Sequence, residues 1–447
     1  MKKIPPLLAA ALGTLVAVSA QAADLVQVYR DALGNDAQYA AARATAEAGR
    51  EKAPQGLAGL LPVISASANT TANKNTYSTL IRTLGFNSNS YIEFNSNGYN
   101  VNLTQPLFRW QNFVQYGQAN LQVVQAEANF AQATQDLILR VAQAYFDVLA
   151  AQENLSAAQA AKAAIVQQLE QAKKNFEVGT ATITDTHEAQ SRFDLATAQE
   201  IAAQSDLEVK RYTLRVLVGK DSGALAALKP QAAMVPPQPA SMDPWVDAAE
   251  KSSFAVQAQQ AAAEIADKEV ERNRAGHYPT LDVVANYGET ATGGTQFGAS
   301  RSEITGANIG LQLNIPIFQG GAVNSKVREA LANRDAALAG LESAKRNAAL
   351  GARQSYLGVV NGLAQVRALE AALVSSNSAL ESNRLGYEVG VRINIDVLNA
   401  EQQVYQTRRD LARARFDTLL AQLKLKAAVG TLGEDELVQI NSLFEAR

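Results

Sequence analysis

Charged and aromatic side chains gather in two short stretches of this chain that share one layout. Residues 176–189 read FEVGTATITDTHEA, and residues 387–400 read YEVGVRINIDVLNA. In each stretch an aromatic residue precedes Glu-Val-Gly, and an aspartate, Asp185 or Asp396, follows the glycine in the same register. Such side chains form hydrogen bonds and ion pairs, and a carboxylate in the first turn of a helix also suits the helix dipole. The repeated layout predicts that one small turn is built twice.

The remaining candidates for catalysis or metal binding lack the spacing that such chemistry requires. His187 and His277 are the only histidines, and neither has an acid or a second histidine at a metal-ligand spacing. The segment HEAQS (187–191) lacks the second histidine of a zinc protease helix, and Gly320-Gly321 does not continue into a phosphate-binding loop. The sequence therefore predicts a protein that is not an enzyme, with no cofactor and no metal.

The composition and the beginning of the chain predict export. Residues 1–22 combine two lysines, an apolar run and the tripeptide Ala-Gln-Ala, which is the layout of a signal peptide. There is no cysteine, so neither a lipid-anchored N-terminus nor a disulfide is expected. A net charge of −3 predicts no nucleic-acid partner. No later run of 18 or so apolar residues predicts a spanning helix, so entry into a membrane would require strands.

Sliding the chain on itself by roughly 210 residues reveals a two-fold internal repeat. NLTQPLF (102–108) aligns with QLNIPIF (312–318), and LLPVISASA (60–68) aligns with HYPTLDVVA (277–285). The predicted parts are a signal peptide (1–22), a first repeat (23–218; strand hairpin 62–105, long helix 106–178, return helix 184–218), a Pro-rich connector (219–245), a second repeat (246–430; strand hairpin 279–315, long helix 316–389, return helix 395–429) and a C-terminal segment (431–447).

Each repeat contributes two strands whose apolar and polar residues alternate. Tyr99, Val101 and Leu103 alternate with Asn100 and Asn102. The pattern fits a half-buried sheet of a soluble domain, but the predicted export signal and the polar loops favour an outer-membrane barrel. Four strands cannot close on themselves, and open edges are not tolerated in lipid. Several copies are therefore predicted to share one barrel.

The long helices contain no proline after their first residue. About 70 residues at roughly 1.5 Å each give rods on the order of 100 Å, longer than the core of a globular bundle. On the second long helix, large side chains recur every seven residues, at Val366, Leu373, Leu380 and Tyr387. The return helix has the same seven-residue spacing on either side of Val404. This pattern predicts an antiparallel coiled coil, although a helical hairpin in an ordinary bundle has the same pattern. Gly179 and Gly390 then end the descending helices at the coiled-coil tips.

The whole arrangement resembles the TolC family of outer-membrane efflux and type I secretion channels. The residues that carry the resemblance are NLTQPLF, LNIPIFQGGAVNSKV, AQAYFDVLAAQENL, FEVGTATITD, YEVGVRINIDVLNA and LKLKAAVGTL. The implied fold is mainly α with a small β part: a homotrimer with a twelve-stranded β-barrel continued by a twelve-helix periplasmic α-barrel. The connector and the C-terminal segment would lie at its equator.

The resemblance also implies partners and a localisation. The protein would lie in the outer membrane, in contact with lipid, and extend into the periplasm. It would carry toxic compounds or secreted proteins from an inner-membrane ABC, RND or MFS pump, together with a periplasmic adaptor (membrane fusion) protein. The sequence leaves two alternatives: an exported structural coiled-coil or adhesin, which would not need duplicated strand hairpins, and a passive diffusion pore, which would need more strands per chain.

In the family, polar links between the two coiled coils hold the tips inward. Carried onto this sequence, the Tyr387 hydroxyl and the Arg392 guanidinium would reach Asp185, and Arg392 would also reach Thr184. The competing interpretation of Asp185 is a helix N-terminal carboxylate with no part in the gate.

Asp396 would form an acidic ring where the tunnel is narrowest. The family pattern has a second acid one turn later, where this chain has Asn399, so the resemblance implies one ring from this helix. Glu188 is a secondary candidate for restoring that charge, and a solvated glutamate is the alternative. The two tips, Val178-Gly179-Thr180 and Val389-Gly390-Val391, would dock the adaptor, although a tight turn alone also explains them.

Overall fold

A computed structural model describes residues 22–81, 85–230, 232–293 and 301–445. The predicted signal peptide, at 1–22, lies almost wholly outside these described residues. The elements in chain order are α1 (Leu25–Asn35), α2 (Ala37–Arg50), α3 (Lys52–Ala58), β1 (Val63–Ile81), β2 (Phe86–Phe108), α4 (Trp110–Glu177), α5 (Ile183–Val218), α6 (Asp243–Ser252), α7 (Phe254–Arg274), β3 (Thr280–Thr292), β4 (Ser302–Asn314), α8 (Ala322–Glu388), α9 (Asn394–Ala428) and α10 (Glu434–Asn441).

The four strands form one antiparallel sheet in the order β1-β2-β3-β4, so β1 and β4 are its edge strands. Val63 pairs with Thr104 between β1 and β2, and Thr280 pairs with Asn314 between β3 and β4. The strands of the first hairpin, β1 and β2, are 19 and 23 residues long, whereas β3 and β4 of the second hairpin are 13 residues each. Pairing of β2 with β3 therefore begins only at Ser96.

The predicted alternation of side chains is present in the strands. Tyr99 and Tyr287 lie on one face with their ring centroids 6.4 Å apart. On the other face, Asn286 donates a hydrogen bond of 2.7 Å to Asn102. The apolar side chains of β4 are exposed in the single chain, with Ile309 79% exposed. The apolar face of the edge strand therefore has no covering within the described chain.

Both long helices begin later than predicted. β2 continues through Pro106 to Phe108, with a register shift between these two residues, so α4 begins at Trp110 and not at 106. Gly320 and Gly321 have φ of 60° and 80°, a left-handed conformation that cannot be helical, so α8 begins at Ala322 and not at 316.

The corner between β3 and α4 is fixed by an ion pair. Arg109 donates two hydrogen bonds of 2.7 Å to the two carboxylate oxygens of Asp282. Asp282 is buried and Arg109 is partly exposed. This bidentate geometry ties the residue before α4 to a neighbouring strand.

By length and composition alone, one helix among the described residues, α8, is apolar enough to cross a membrane, although the sequence predicts no spanning helix. Such a test is also passed by helices that do not span, and only 11% of the apolar stretch of α8 is buried within the chain.

The described parts of the chain divide into two compact units that cut across the two repeats. One unit contains the described residues within 22–40, 133–249 and 349–445, and the other contains those within 41–132 and 250–348. The sheet thus belongs to the second unit and both tips belong to the first. The long helices α4 and α8 contribute to both.

The core of the first unit is centred on the segment AQAYFDVLA of α4. Phe146 stacks on Phe416 and Phe444 with ring centroids 5.8 and 6.0 Å apart. The Tyr145 hydroxyl donates to the carbonyl of Ala226 at 3.1 Å, which ties the connector to α4. Beside this core, Arg140 donates two hydrogen bonds to buried Asp36.

Candidate gating site

Both tips are built by the same helix-ending turn. Gly179 and Gly390 have φ of 79° and 81°, the left-handed region in which glycine is unstrained. The next residue donates its backbone N–H back across the turn: Thr180 to Asn175 and Val391 to Gly386, each at 2.8 Å. These bonds satisfy the last carbonyls of α4 and α8 in a Schellman motif. The identical turns explain why the two sequence stretches share a layout.

The residues beside these glycines are apolar and exposed. Val178, Val389 and Val391 are 73%, 66% and 75% exposed. Thr180 and both glycines are exposed as well. The predicted docking residues thus form small apolar caps on the two turns.

The two return helices begin differently. At the start of α5, Asp185 accepts a hydrogen bond of 2.9 Å from the backbone of Thr182, and its own N–H donates to the Thr182 hydroxyl at 3.3 Å. This capping box satisfies backbone donors at the helix start. At the start of α9 the cap position is Ile393, whose side chain cannot accept. Asp396 lies instead 3.6 Å from Arg392.

Within the single chain, the predicted gate residues have other partners than those predicted. The hydroxyl of Tyr387 accepts a hydrogen bond of 3.2 Å from Asn175 of α4, not one involving Asp185. Arg392 pairs with Asp396, and Asp185 is held in its capping box. Thr184 is exposed in the first turn of α5. Asn175 to Tyr387 is nevertheless a polar link between the two coiled coils, because α4 belongs to the first and α8 to the second.

A stronger link between the coiled coils involves Arg192, which the sequence reasoning missed. Its Nη1 donates to Gln402 at 2.8 Å, and its Nη2 donates to Asn399 at 3.0 Å. Asn399 was predicted to line the constriction, and the structure shows it holding α5 to α9. Arg192 lies one heptad after Asp185, so a search for polar residues at that interval would have found it. Glu188, half-buried on the same helix, lies between them.

Each coiled coil also contains an internal ion pair. Lys162 of α4 donates to Glu200 of α5 at 2.9 Å, which lowers the pKa of Glu200. In the second coiled coil, Arg384 of α8 pairs with Glu401 of α9 at 2.6 Å, and Glu401 is only 2% exposed. Elsewhere in the second coiled coil, predicted heptad residues pack together, including Val366 with Leu411. Within each coiled coil, buried side chains and an ion pair hold the two helices together. The links between the two coiled coils are hydrogen bonds to uncharged acceptors.

The described residues contain no cluster of three or more His, Cys, Asp or Glu side chains that could hold a metal ion. The chemistry available at the tips is therefore hydrogen bonding, ion pairing and apolar contact.

Comparison with known proteins agrees with this geometry. A family described as "Outer membrane efflux protein" matches residues 28–220 and 245–431. The match covers both repeats and is interrupted only at the connector. The chain belongs to this outer membrane efflux protein family. Among curated members of this efflux family, the outer membrane protein TolC of Vibrio cholerae is 32% identical over 99% of this chain and 98% of its own length. The alkaline protease secretion protein AprF of Pseudomonas aeruginosa is 31% identical over 99% of this chain and 92% of its own.

Solved structures of outer-membrane proteins share the fold. The outer membrane protein VceC of Vibrio cholerae superposes with a TM-score of 0.77 at 20% identity, covering 91% of this chain and 96% of its own. The CmeC outer membrane channel of Campylobacter jejuni superposes with a TM-score of 0.78 at 17% identity, covering 94% of this chain and 89% of its own. The mainly α, TolC-like fold predicted from the sequence is confirmed by these similarities.

Proposed function

We propose that this protein is the outer-membrane exit duct of a tripartite export system, gated at its coiled-coil tips. The observation that carries the proposal is the sheet: four strands with two free edges and an exposed apolar face on β4. An open sheet of this kind cannot stand alone in lipid, where every backbone donor and acceptor needs a partner.

Three copies would remove the free edges by pairing β1 of one copy with β4 of the next. The resulting twelve strands enclose a lumen, whereas eight strands from two copies would leave an interior filled by side chains. The four helices α4, α5, α8 and α9 of each copy would supply a twelve-helix tunnel below it. The protein is accordingly placed in the outer membrane, with its helices in the periplasm.

The gate would combine links within a copy and links between copies. Within a copy, Asn175 bonds Tyr387 and Arg192 bonds Asn399. The Arg392 side chain is 59% exposed and lies 3.6 Å from Asp396, so most of its five donors have no partner among the described residues and remain available to a neighbouring copy. Asp185 and Thr184 of that copy are the acceptors we propose. A partly exposed link of this kind contributes about 1 kcal/mol or less, so several of them hold a gate that remains reversible.

Asp396 would form the acidic constriction of the closed tunnel. Three copies bring three carboxylates together, and a ring of carboxylates favours cations. Because Asn399 is uncharged where the family pattern has a second acid, we propose that this helix supplies one acidic ring. Glu188 is half-buried on α5 and is kept as a secondary contributor.

The exposed apolar tips would receive a periplasmic adaptor. Val178, Gly179 and Thr180 form one tip, and Val389, Gly390 and Val391 form the other. AprF is named for secretion of an alkaline protease, and a 27% identical relative, CzcC of Cupriavidus metallidurans, is named for cobalt-zinc-cadmium resistance. For this chain we propose either drug or protein export, with an inner-membrane pump of the ABC, RND or MFS class.

Disulfide crosslinking between edge strands tests the proposal directly. The chain has no cysteine, so any disulfide that forms must join introduced cysteines. One cysteine at Gln312 on β4 is combined with single cysteines scanned along 65–71 of β1. We expect at least one pair to give a covalent trimer in outer-membrane fractions. The matched control places the second cysteine at Asn102 on the inner strand β2, which pairs with β1 and β3. A protein that stays monomeric with every edge pair would contradict the proposal.

A further inference from the structure

A cavity of about 540 Å³ lies in the first compact unit, between the two coiled coils. The lining from α4 and α5 is mostly apolar and includes Ala161, Ile165 and Leu195, together with a few polar residues such as Gln199 and Asp206. The α9 wall is polar and includes Glu401 and Tyr405. A volume of roughly 300–1,000 Å³ is typical of sites for small organic molecules. None of the predicted gate or docking residues lines this cavity.

Glu401 is the exceptional residue of the cavity. It is 2% exposed, and its Oε1 accepts a hydrogen bond of 2.6 Å from Arg384. Its other oxygen, Oε2, is buried and has no hydrogen-bond partner among the described residues. A buried carboxylate oxygen without a donor loses its hydration and gains nothing in exchange. The site therefore lacks one donor.

Two of the other polar residues that line the cavity, Arg192 and Tyr405, are already engaged. Arg192 also lines it, but both terminal nitrogens of Arg192 donate to Gln402 and Asn399. The Tyr405 hydroxyl donates to the carbonyl of Ala160 at 3.2 Å. Burial raises the pKa of Tyr405, and the charge of Glu401 raises it further. Arg192 and Tyr405 keep their own partners, so neither supplies the donor that Oε2 lacks.

We infer that this cavity binds an organic amine, whose protonated amino group donates to Oε2 of Glu401 and whose apolar body lies against Ala161 and Ile165. An ammonium group supplies both a donor and the charge that a buried carboxylate favours. A metal ion is a poorer fit, because no cluster of three acidic or histidine ligands exists in the described part of the chain. A bound amine would contact α4, α5 and α9 together, and its effect on the gate rests on the proposed function, whereas binding itself does not.

Fluorine NMR of 4-fluorobenzylamine with the purified full-length protein at neutral pH tests the site. The alcohol 4-fluorobenzyl alcohol has the same apolar body without the charge. We expect the amine to bind the unaltered protein about tenfold or more tightly than the alcohol, as the loss of a charge-assisted hydrogen bond implies. Glu401→Gln keeps the shape of the side chain and should remove this preference.

Two further variants make the result decisive. Ala161→Leu fills the apolar wall without touching any charge and should weaken amine binding by a similar factor, even if Glu401→Gln fails to fold. Asp396→Asn removes the proposed constriction ring and should leave amine binding unchanged. Three results would each overturn the inference. They are equal binding of the amine and the alcohol, undiminished amine binding in Ala161→Leu, and loss of amine binding in Asp396→Asn. The last result would show that the amine binds in the pore.

Discussion

The guanidinium of Arg192 lies 3.0 Å from the side-chain oxygen of Asn399 and thereby joins the first coiled coil to the second. The same guanidinium reaches Gln402 at 2.8 Å. One arginine thus bridges two positions one helical turn apart on α9. Arg192 also lines the cavity that contains Glu401, and separation of the coiled coils would break both bonds at once.

Replacing Arg192 by alanine should loosen the closed state. Two charge-donated hydrogen bonds are lost in each copy, which we expect to cost about 1 kcal/mol per copy at this partly exposed site. The expected result is a larger single-channel conductance in planar bilayers. Arg211→Ala is the matched control, because Arg211 pairs with Glu208 of its own helix. Equal conductance in the two variants would show that the bridge does not restrain the gate.

The combination of Tyr387→Phe and Arg392→Ser should also raise the conductance. The first change removes the bond from Asn175, and the second removes the free donors that we assign to a neighbouring copy. Tyr212→Phe, at an exposed site on α5, serves as the control. Because Asn175 and Tyr387 share one hydrogen bond, Asn175→Ala added to Tyr387→Phe should have little further effect. Conductance that does not change in the Tyr387 and Arg392 double variant would argue against these links.

Asp185 has two proposed roles that substitutions can separate. Thr182→Ala removes a capping side chain and should destabilise the start of α5 by about 1 kcal/mol without opening the gate. Asp185→Asn keeps an acceptor for the cap and removes the charge that Arg392 of another copy would need. It should preserve the thermal midpoint and raise the conductance. If Asp185→Asn conducts as the unaltered protein does, capping is its only role.

Asp396→Asn should weaken block of the channel by multivalent cations. Three carboxylates concentrate positive charge at the constriction, and their amides do not. The measurement is the concentration of a trivalent lanthanide ion that halves the current in a planar bilayer, which should rise in the variant. Asp410→Asn, elsewhere on α9 and beside Arg409, is the control. An unchanged blocking concentration would remove Asp396 from the constriction.

Acid should weaken the first compact unit through Asp36. The hydrogen bonds from Arg140 hold the pKa of this carboxyl below its usual value. A lowered folded-state pKa stabilises the protein above the unfolded-state value near ~3.9, and this stability is lost as the pH falls through the folded-state value. In Asp36→Asn, the thermal midpoint should be lower at neutral pH and should fall less steeply in acid. Parallel pH profiles for the two proteins would contradict this assignment.

Much of the fold follows from the sequence because the pattern is long and repeated. The strand alternation around Tyr99 and the heptads around Val366 predict the elements that are observed, and the two glycines predict the turns. The starts of the long helices were missed because the left-handed conformation of Gly320 and Gly321 overrides the helix propensity of the residues around them. Proline at position 106 was taken for a helix start, yet it lies in a strand.

The contacts between the coiled coils could not be predicted in the same way. A heptad repeat fixes which residues face the partner within a coiled coil, but the alignment of one coiled coil with another depends on a few polar contacts. The sequence assigned Tyr387 a different partner from the one found in the single chain, and the roles of Tyr387 in the gate and of Asn399 at the constriction stay predictions. Arg192, Asn175 and Gln402 are common residue types in surface positions, and only three-dimensional proximity distinguishes them.

The unequal height of the two hairpins marks where the hydrocarbon must end. Beyond Asn95 in the direction of Phe86, no described residue of β3 pairs with β2, and the described ladder narrows from four strands to two. Backbone groups on that open side need water as their partner, and lipid has none to offer. The hydrocarbon of the lipid can therefore extend no farther along the strands than the level of Ser96 and Thr292. The two-stranded part of β1 and β2 beyond that level, roughly 30 Å long, lies in the aqueous exterior of the cell.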